Sequence, residues 1–131
     1  MPLAHPPRIF VVDDEKAICA SMAAILRLSG FYVTSFTDPL ESLASAYAEQ
    51  PDLLVSDMMM PGLSGIDLAT QIQQVCPYCA ILLVSGVAGM ASQILDMDAN
   101  GHQFDLLAKP VHPLVLIEEV SRKLTRCAAP A

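Results

Sequence analysis

Asp57 ends a short apolar run, Asp52-Leu53-Leu54-Val55-Ser56, and Met58-Met59-Met60-Pro61-Gly62 follow it at once. Asp13 and Asp14 stand in the same relation to Ile9-Phe10-Val11-Val12, Ser85 to Ile81-Leu82-Leu83-Val84, and Lys109-Pro110 to the run over residues 104–108. Short apolar runs bounded by turn residues read as buried strands. In a parallel sheet all strand C-termini share one edge, and ligands of open α/β folds bind outside it. Three carboxylates, a hydroxyl and a lysine would converge there.

Carboxylates a few ångströms apart repel one another and cannot all stay ionised cheaply without a cation. An all-oxygen donor set suits magnesium, which takes one or two carboxylates and keeps some of its waters. The expected direct ligands are Asp14 and Asp57, with Asp13 reached through water. A carboxylate in such a site can attack phosphorus if the charge on the phosphoryl oxygens is neutralised. The Lys109 ammonium and the Ser85 hydroxyl can each serve one oxygen, and backbone amides after Asp57 a third. The product would be an acyl phosphate on Asp57.

These residues need five strands to hold them. Residues 9–12 precede a helical pattern of Ile18, Met22, Ile25, Leu26 and Ser29 that stops at Gly30. Residues 32–36 form the next strand, and Asp38-Pro39-Leu40-Glu41 reads as a capping box opening a helix through Leu43 and Tyr47. Residues 53–56 form the third strand; Pro61-Gly62 turns the chain, and Ser64 caps a helix carrying Leu68, Ile72 and Val75. Residues 80–84 form a central strand, followed by a weaker helix through Met90, Ile94 and Leu95 that ends at Asn100-Gly101. After the strand over residues 104–108, Pro113 opens a last helix with Leu114, Ile117, Val120 and Leu124 on its apolar side and Arg122, Lys123 and Arg126 near its end. Five βα units with right-handed crossovers predict a flavodoxin-like, doubly wound parallel sheet with strand order 2-1-3-4-5 and five helices. Its switch point lies between the first and third strands, where Asp13, Asp14 and Asp57 emerge.

The chain has 131 residues, 53% of them apolar, which suits a single domain over residues 8–126 with short tails at 1–7 and 127–131. No run approaches the roughly 18 apolar residues of a membrane span, and the first residues lack a signal-peptide pattern, so a soluble cytoplasmic protein is expected. A net charge of −7 with only seven Lys and Arg argues against direct nucleic-acid binding. Cys76-Pro77-Tyr78-Cys79 has the spacing of a redox motif but falls between a helix and a strand, so no helix N-terminus activates its first thiol; it reads as a plain loop. Cys19 and Cys127 lack neighbours at zinc-ligand spacing. His5, His102 and His112 read as surface residues, and Met58-Met59-Met60 as packing and loop backbone.

Taken together, Val11-Val12-Asp13-Asp14-Glu15, Asp57-Met58-Met59-Met60-Pro61-Gly62-Leu63-Ser64-Gly65, Val84-Ser85-Gly86 and Lys109-Pro110 resemble the motifs of response regulator receiver domains of two-component systems, in order and approximate spacing. The resemblance spans residues 8 to about 126. It implies that Asp57 accepts phosphate from a sensor histidine kinase or a histidine phosphotransfer protein, with magnesium held by Asp14, Asp57 and the Met59 carbonyl. Ser85 and Lys109 would read the phosphate, and the Lys109-Pro110 bond is often cis in such domains. Signalling would proceed through the surface of the fourth helix, fifth strand and fifth helix toward an unknown downstream protein, with a phosphorylation-dependent dimer as one form. Such a protein catalyses its own phosphorylation and dephosphorylation and is not a metabolic enzyme. The position three before the lysine, an aromatic switch in the family, is Leu106, with Phe104 two residues earlier. This leaves open a second reading, an interaction module that is not phosphorylated in the cell. An aspartate-nucleophile hydrolase would want Asp-x-Asp on the first strand, which Val12-Asp13-Asp14 does not provide.

Overall fold

The computed structural model describes residues 6–86 and 104–128, with side chains through residue 125. The elements follow in the order β1 (Arg8–Val12), α1 (Lys16–Leu28), β2 (Tyr32–Phe36), α2 (Pro39–Ala48), β3 (Leu53–Asp57), α3 (Gly65–Val75), β4 (Ala80–Ser85), β5 (Asp105–Ala108) and α4 (Pro113–Ala128). The strands form one sheet in the order β2-β1-β3-β4-β5, and every neighbouring pair is parallel. This is the expected strand order. The helix expected after β4 lies outside the described residues.

Alternation along the strands divides the core in two. Ile9, Val11, Leu53, Val55, Leu82 and Val84 pack with Cys19, Met22, Ala23 and Leu26 of α1 and with Leu116, Val120 and Leu124 of α4. On the other face Phe10, Val12, Leu54, Ile81 and Leu83 meet Ala46 of α2 and Leu68, Ala69 and Ile72 of α3. The three central strands are therefore apolar on both sides, which is why their sequences read as continuous runs.

Helix boundaries follow local chemistry. α1 ends where Gly30 takes φ +97°, a left-handed conformation glycine adopts without a Cβ penalty. The Asp38 carboxylate accepts the Leu40 N–H at 2.9 Å. A capping box would instead pair that carboxylate with the N–H of Glu41, which donates to the Asp38 backbone carbonyl at 3.1 Å, so Asp38 acts as a simple N-cap and the expected box is not formed. Ser64 accepts the N–H of Asp67 at 3.1 Å, as its position before α3 predicts. Two residues assigned to buried helix faces are exposed, Tyr47 and Leu114. In α4 the i, i+4 ridge of Leu116, Val120 and Leu124 faces the sheet, and at 100° per residue Leu114 lies nearly opposite Leu116.

Candidate functional site

The strand register sets the site. Val12 pairs with Ser56 and Asp57 with Val84, so Asp13 and Asp57 stand side by side, each at or just past the end of its strand. Asp13 continues the alternation of Ile9 and Val11, and Asp57 that of Leu53 and Val55. Both carboxyls therefore leave the sheet on the side of α1 and α4. Ser85 pairs with Ala108, which places Lys109 one residue beyond, its N–H donating to the Ser85 carbonyl at 2.8 Å. The Lys109-Pro110 peptide is cis, as in the resembled family.

Lys109 Nζ lies 3.1 Å from Asp13 Oδ2 and 3.2 Å from Asp57 Oδ2. Asp13 is fully buried and its Oδ1 accepts the Glu15 N–H at 2.9 Å; Asp57 is 6% exposed and its Oδ1 accepts the Met59 N–H at 3.3 Å. Asp14 is exposed, yet one oxygen from each of Asp13, Asp14 and Asp57 lies within 4.8 Å of the others. One lysine against three acids leaves the cluster negative. Burial pushes the Asp57 carboxyl above the usual range and the neighbouring Asp13 charge adds to this, while the Met59 N–H and Lys109 oppose it without cancelling it. For Lys109, burial pulls downward, but the hydrogen bond and charge of Asp13, followed by those of Asp57, outweigh it. The ammonium stays charged.

Such a cluster, all oxygen, negative and reachable from solvent through Asp14, could hold a divalent metal, and the donor chemistry fits magnesium. Asp13, Asp14, Asp57 and Lys109 are thus brought together. Ser85 is buried at the neighbouring strand end, but β-alternation sends it toward the α2 and α3 side, and its hydroxyl donates to the Gly86 carbonyl at 3.2 Å. Met59 contributes its backbone at the site and an exposed side chain. Leu106 and Phe104 both pack partly buried against the second core cluster, the shared face that alternation predicts.

Gly65 closes the motif that begins at Asp57, yet pattern reading assigned it no role. A Cβ there would sit 2.2 Å from the Asp57 carbonyl oxygen and 2.8 Å from the Met58 Cα, while the Gly65 N–H donates to the Met58 carbonyl at 2.8 Å. Only a bare glycine lets α3 start against the end of β3. The available signal was a glycine directly after a capping serine, where a better helix former is the ordinary choice. His112, read from the sequence only as a surface residue, also holds the start of α4, where its Nδ1 accepts the Leu114 N–H at 3.1 Å.

This edge-on cluster at the switch point of a 2-1-3-4-5 sheet defines an acidic, lysine-bearing receiver fold. The response regulator receiver domain model matches residues 9–121. Transcriptional regulatory protein PrrA of Mycobacterium tuberculosis is 34% identical over 116 residues, which cover 88% of this chain and 48% of that protein. Alkaline phosphatase synthesis transcriptional regulatory protein PhoP of Bacillus subtilis is 32% identical over 126 residues, 95% of this chain and 52% of that one. The chain thus spans about half the length of these relatives. A CheY-like receiver domain protein from Methanospirillum hungatei superposes with a TM-score of 0.83 at 28% identity, covering 94% of this chain and 97% of the other. The chain belongs to the response regulator receiver domain family.

Proposed function

We propose that residues 8–126 form a cytoplasmic phosphoacceptor that takes a phosphoryl group onto Asp57 from the phosphohistidine of a sensor histidine kinase or a histidine phosphotransfer protein. One observation carries this reading: Asp57 is a nearly buried carboxylate at the lip of the sheet that shares one lysine, 3.2 Å away, with a second buried acid. In the transfer an Asp57 oxygen bonds to phosphorus as the phosphorus–nitrogen bond breaks and the imidazole departs. Lys109, already poised on Asp57 Oδ2, accompanies the new phosphoryl oxygens. The Met59 N–H offers a backbone donor beside Oδ1. Magnesium, held by Asp14, Asp57 and the Met59 backbone carbonyl with Asp13 reached through water, would supply the positive charge that neutralises those oxygens.

Ser85 must exchange its bond to the Gly86 carbonyl for one to the phosphoryl group, and this exchange is the start of the conformational signal. The signal passes to a downstream protein or to a second copy of the chain, without direct contact to nucleic acid. The test is incubation with acetyl phosphate and magnesium. A phosphate-sized mass gain that hydroxylamine removes, and that Asp57→Asn lacks, is expected; an equal gain in the variant would refute the assignment.

Leu106 favours a second reading, in which the domain binds its partner without being phosphorylated in the cell. It packs partly buried in the core cluster instead of supplying an aromatic ring that can rotate. Cells carrying Asp57→Asn with undiminished signalling would support that alternative.

A further inference from the structure

At the opposite edge of the sheet from Asp57, Cys76 closes α3 and Cys79 leads into β4. Both are thiols, 4% and 3% exposed. The Cys79 N–H donates to the Cys76 carbonyl at 3.0 Å, the i to i+3 bond of a β-turn. In such a turn the end Cα atoms lie less than about 7 Å apart, and a disulfide spans about 4.4–6.8 Å. The turn is pinned from both sides: Cys76 donates to Ile72 at 2.7 Å, Gln73 Nε2 donates to the Cys79 carbonyl at 3.2 Å, and Ala80 donates to the Asp52 carbonyl at 3.0 Å. Both cysteines also line one cavity of about 280 Å³ together with Arg8, Asp52 and Tyr78. Pro77 and Tyr78, at the corner between them, are exposed.

We propose that Cys76 and Cys79 form a dithiol site that undergoes exchange with small-molecule disulfides and closes into an intramolecular bridge. One thiolate attacks a sulfur of the incoming disulfide, whose S–S bond breaks and releases one thiolate while the cysteine proton passes to solvent. The second cysteine then attacks the mixed disulfide, its own proton passes to solvent, and the second thiolate leaves. Two protein thiols are oxidised and one small disulfide is reduced to two thiols. Burial and the Asp52 charge push the Cys76 thiol up, so the exchange is slow compared with that of a helix-activated pair. Closure draws the Cys76 sulfur from the Ala46 carbonyl, now 3.9 Å away, and so touches the seam between α2 and α3.

The test is incubation of the folded wild-type protein with oxidised glutathione, followed by intact mass and peptide mapping. Loss of two hydrogen masses, mapped to Cys76 and Cys79 and reversed by dithiothreitol, is expected. It is also expected in Asp57→Asn, because the dithiol does not depend on the phosphoacceptor reading. In folded Cys76→Ser and Cys79→Ser the bridge is absent. Phenylarsine oxide, which needs two adjacent thiols, should bind the wild type in a one-to-one adduct that neither variant forms. A glutathione adduct that persists on the wild type, a bridge to another cysteine, or closure seen only in denaturant would overturn the proposal.

Discussion

Asp57 is disfavoured in its charged form by the fold that positions it. Its raised pKa means that the protonated carboxyl contributes stability below the unfolded-state value, and that this contribution is lost as pH rises through the folded-state value. Asparagine keeps the shape without the charge. In chelator at neutral pH, Asp57→Asn is therefore expected to melt above wild type by about 2–5 °C, with the gap closing as pH falls below the carboxylate range. Thermal melts across pH read this directly, and a variant melting lower at neutral pH would mean that Lys109 outweighs burial and Asp13. Lys109 has the opposite role. Its replacement by alanine leaves Asp13 and Asp57 facing each other without their shared cation, at an expected cost of about 1–3 kcal/mol in urea unfolding without metal. Magnesium binding, followed by calorimetry, should survive in Lys109→Ala because the carboxylates are untouched, whereas the spectroscopic response to beryllofluoride should vanish.

At the scale of elements, the junction of β3 and α3 fixes how Asp57 is presented. Gly65→Ala would drive a methyl into the Asp57 carbonyl and the Met58 Cα, backbone atoms that cannot turn aside as a side chain would. The expected loss is about 1–3 kcal/mol or more, measured by urea unfolding, together with a fall in acetyl phosphate labelling as the end of β3 shifts. An unaltered midpoint and labelling rate would show that α3 can move outward freely. This junction also marks how far the chain was legible. Runs such as Ile81-Leu82-Leu83-Val84 declared their strands, and the acids and lysine that end them declared the site, because strands buried on both faces leave little room for polar residues except at their ends. Helix faces were less legible: Ser42, Ala46 and Ala69 fill tight seams while Tyr47 and Leu114 stand outside, so size misleads where close approach decides. The close approach at Gly65 and the hydroxyl direction of Ser85 depend on register, which a single sequence does not display.

For the whole molecule, the two core clusters share one sheet, so a ligand at its edge should stabilise the entire domain and not a loop alone. Asp14 and Asp57 are 57 − 14 = 43 residues apart in the chain and meet only when β1 and β3 pair, so the unfolded chain offers no comparable site. A ligand that binds only the folded state adds about 2.7 kcal/mol at a hundredfold excess over its dissociation constant, or roughly 10 °C in melting temperature for a domain of this size. Magnesium should therefore raise the midpoint of a single cooperative transition, and chelator should reverse the rise. The net charge of −7 provides a competing cause, because any salt screens repulsion across an acidic surface. Sodium chloride at matched ionic strength separates the two. Screening acts alike on wild type and Asp57→Asn, whereas occupation of the carboxylate cluster requires Asp57; a magnesium shift that sodium reproduces, or that the variant retains in full, would place the effect on the surface and not at the strand ends.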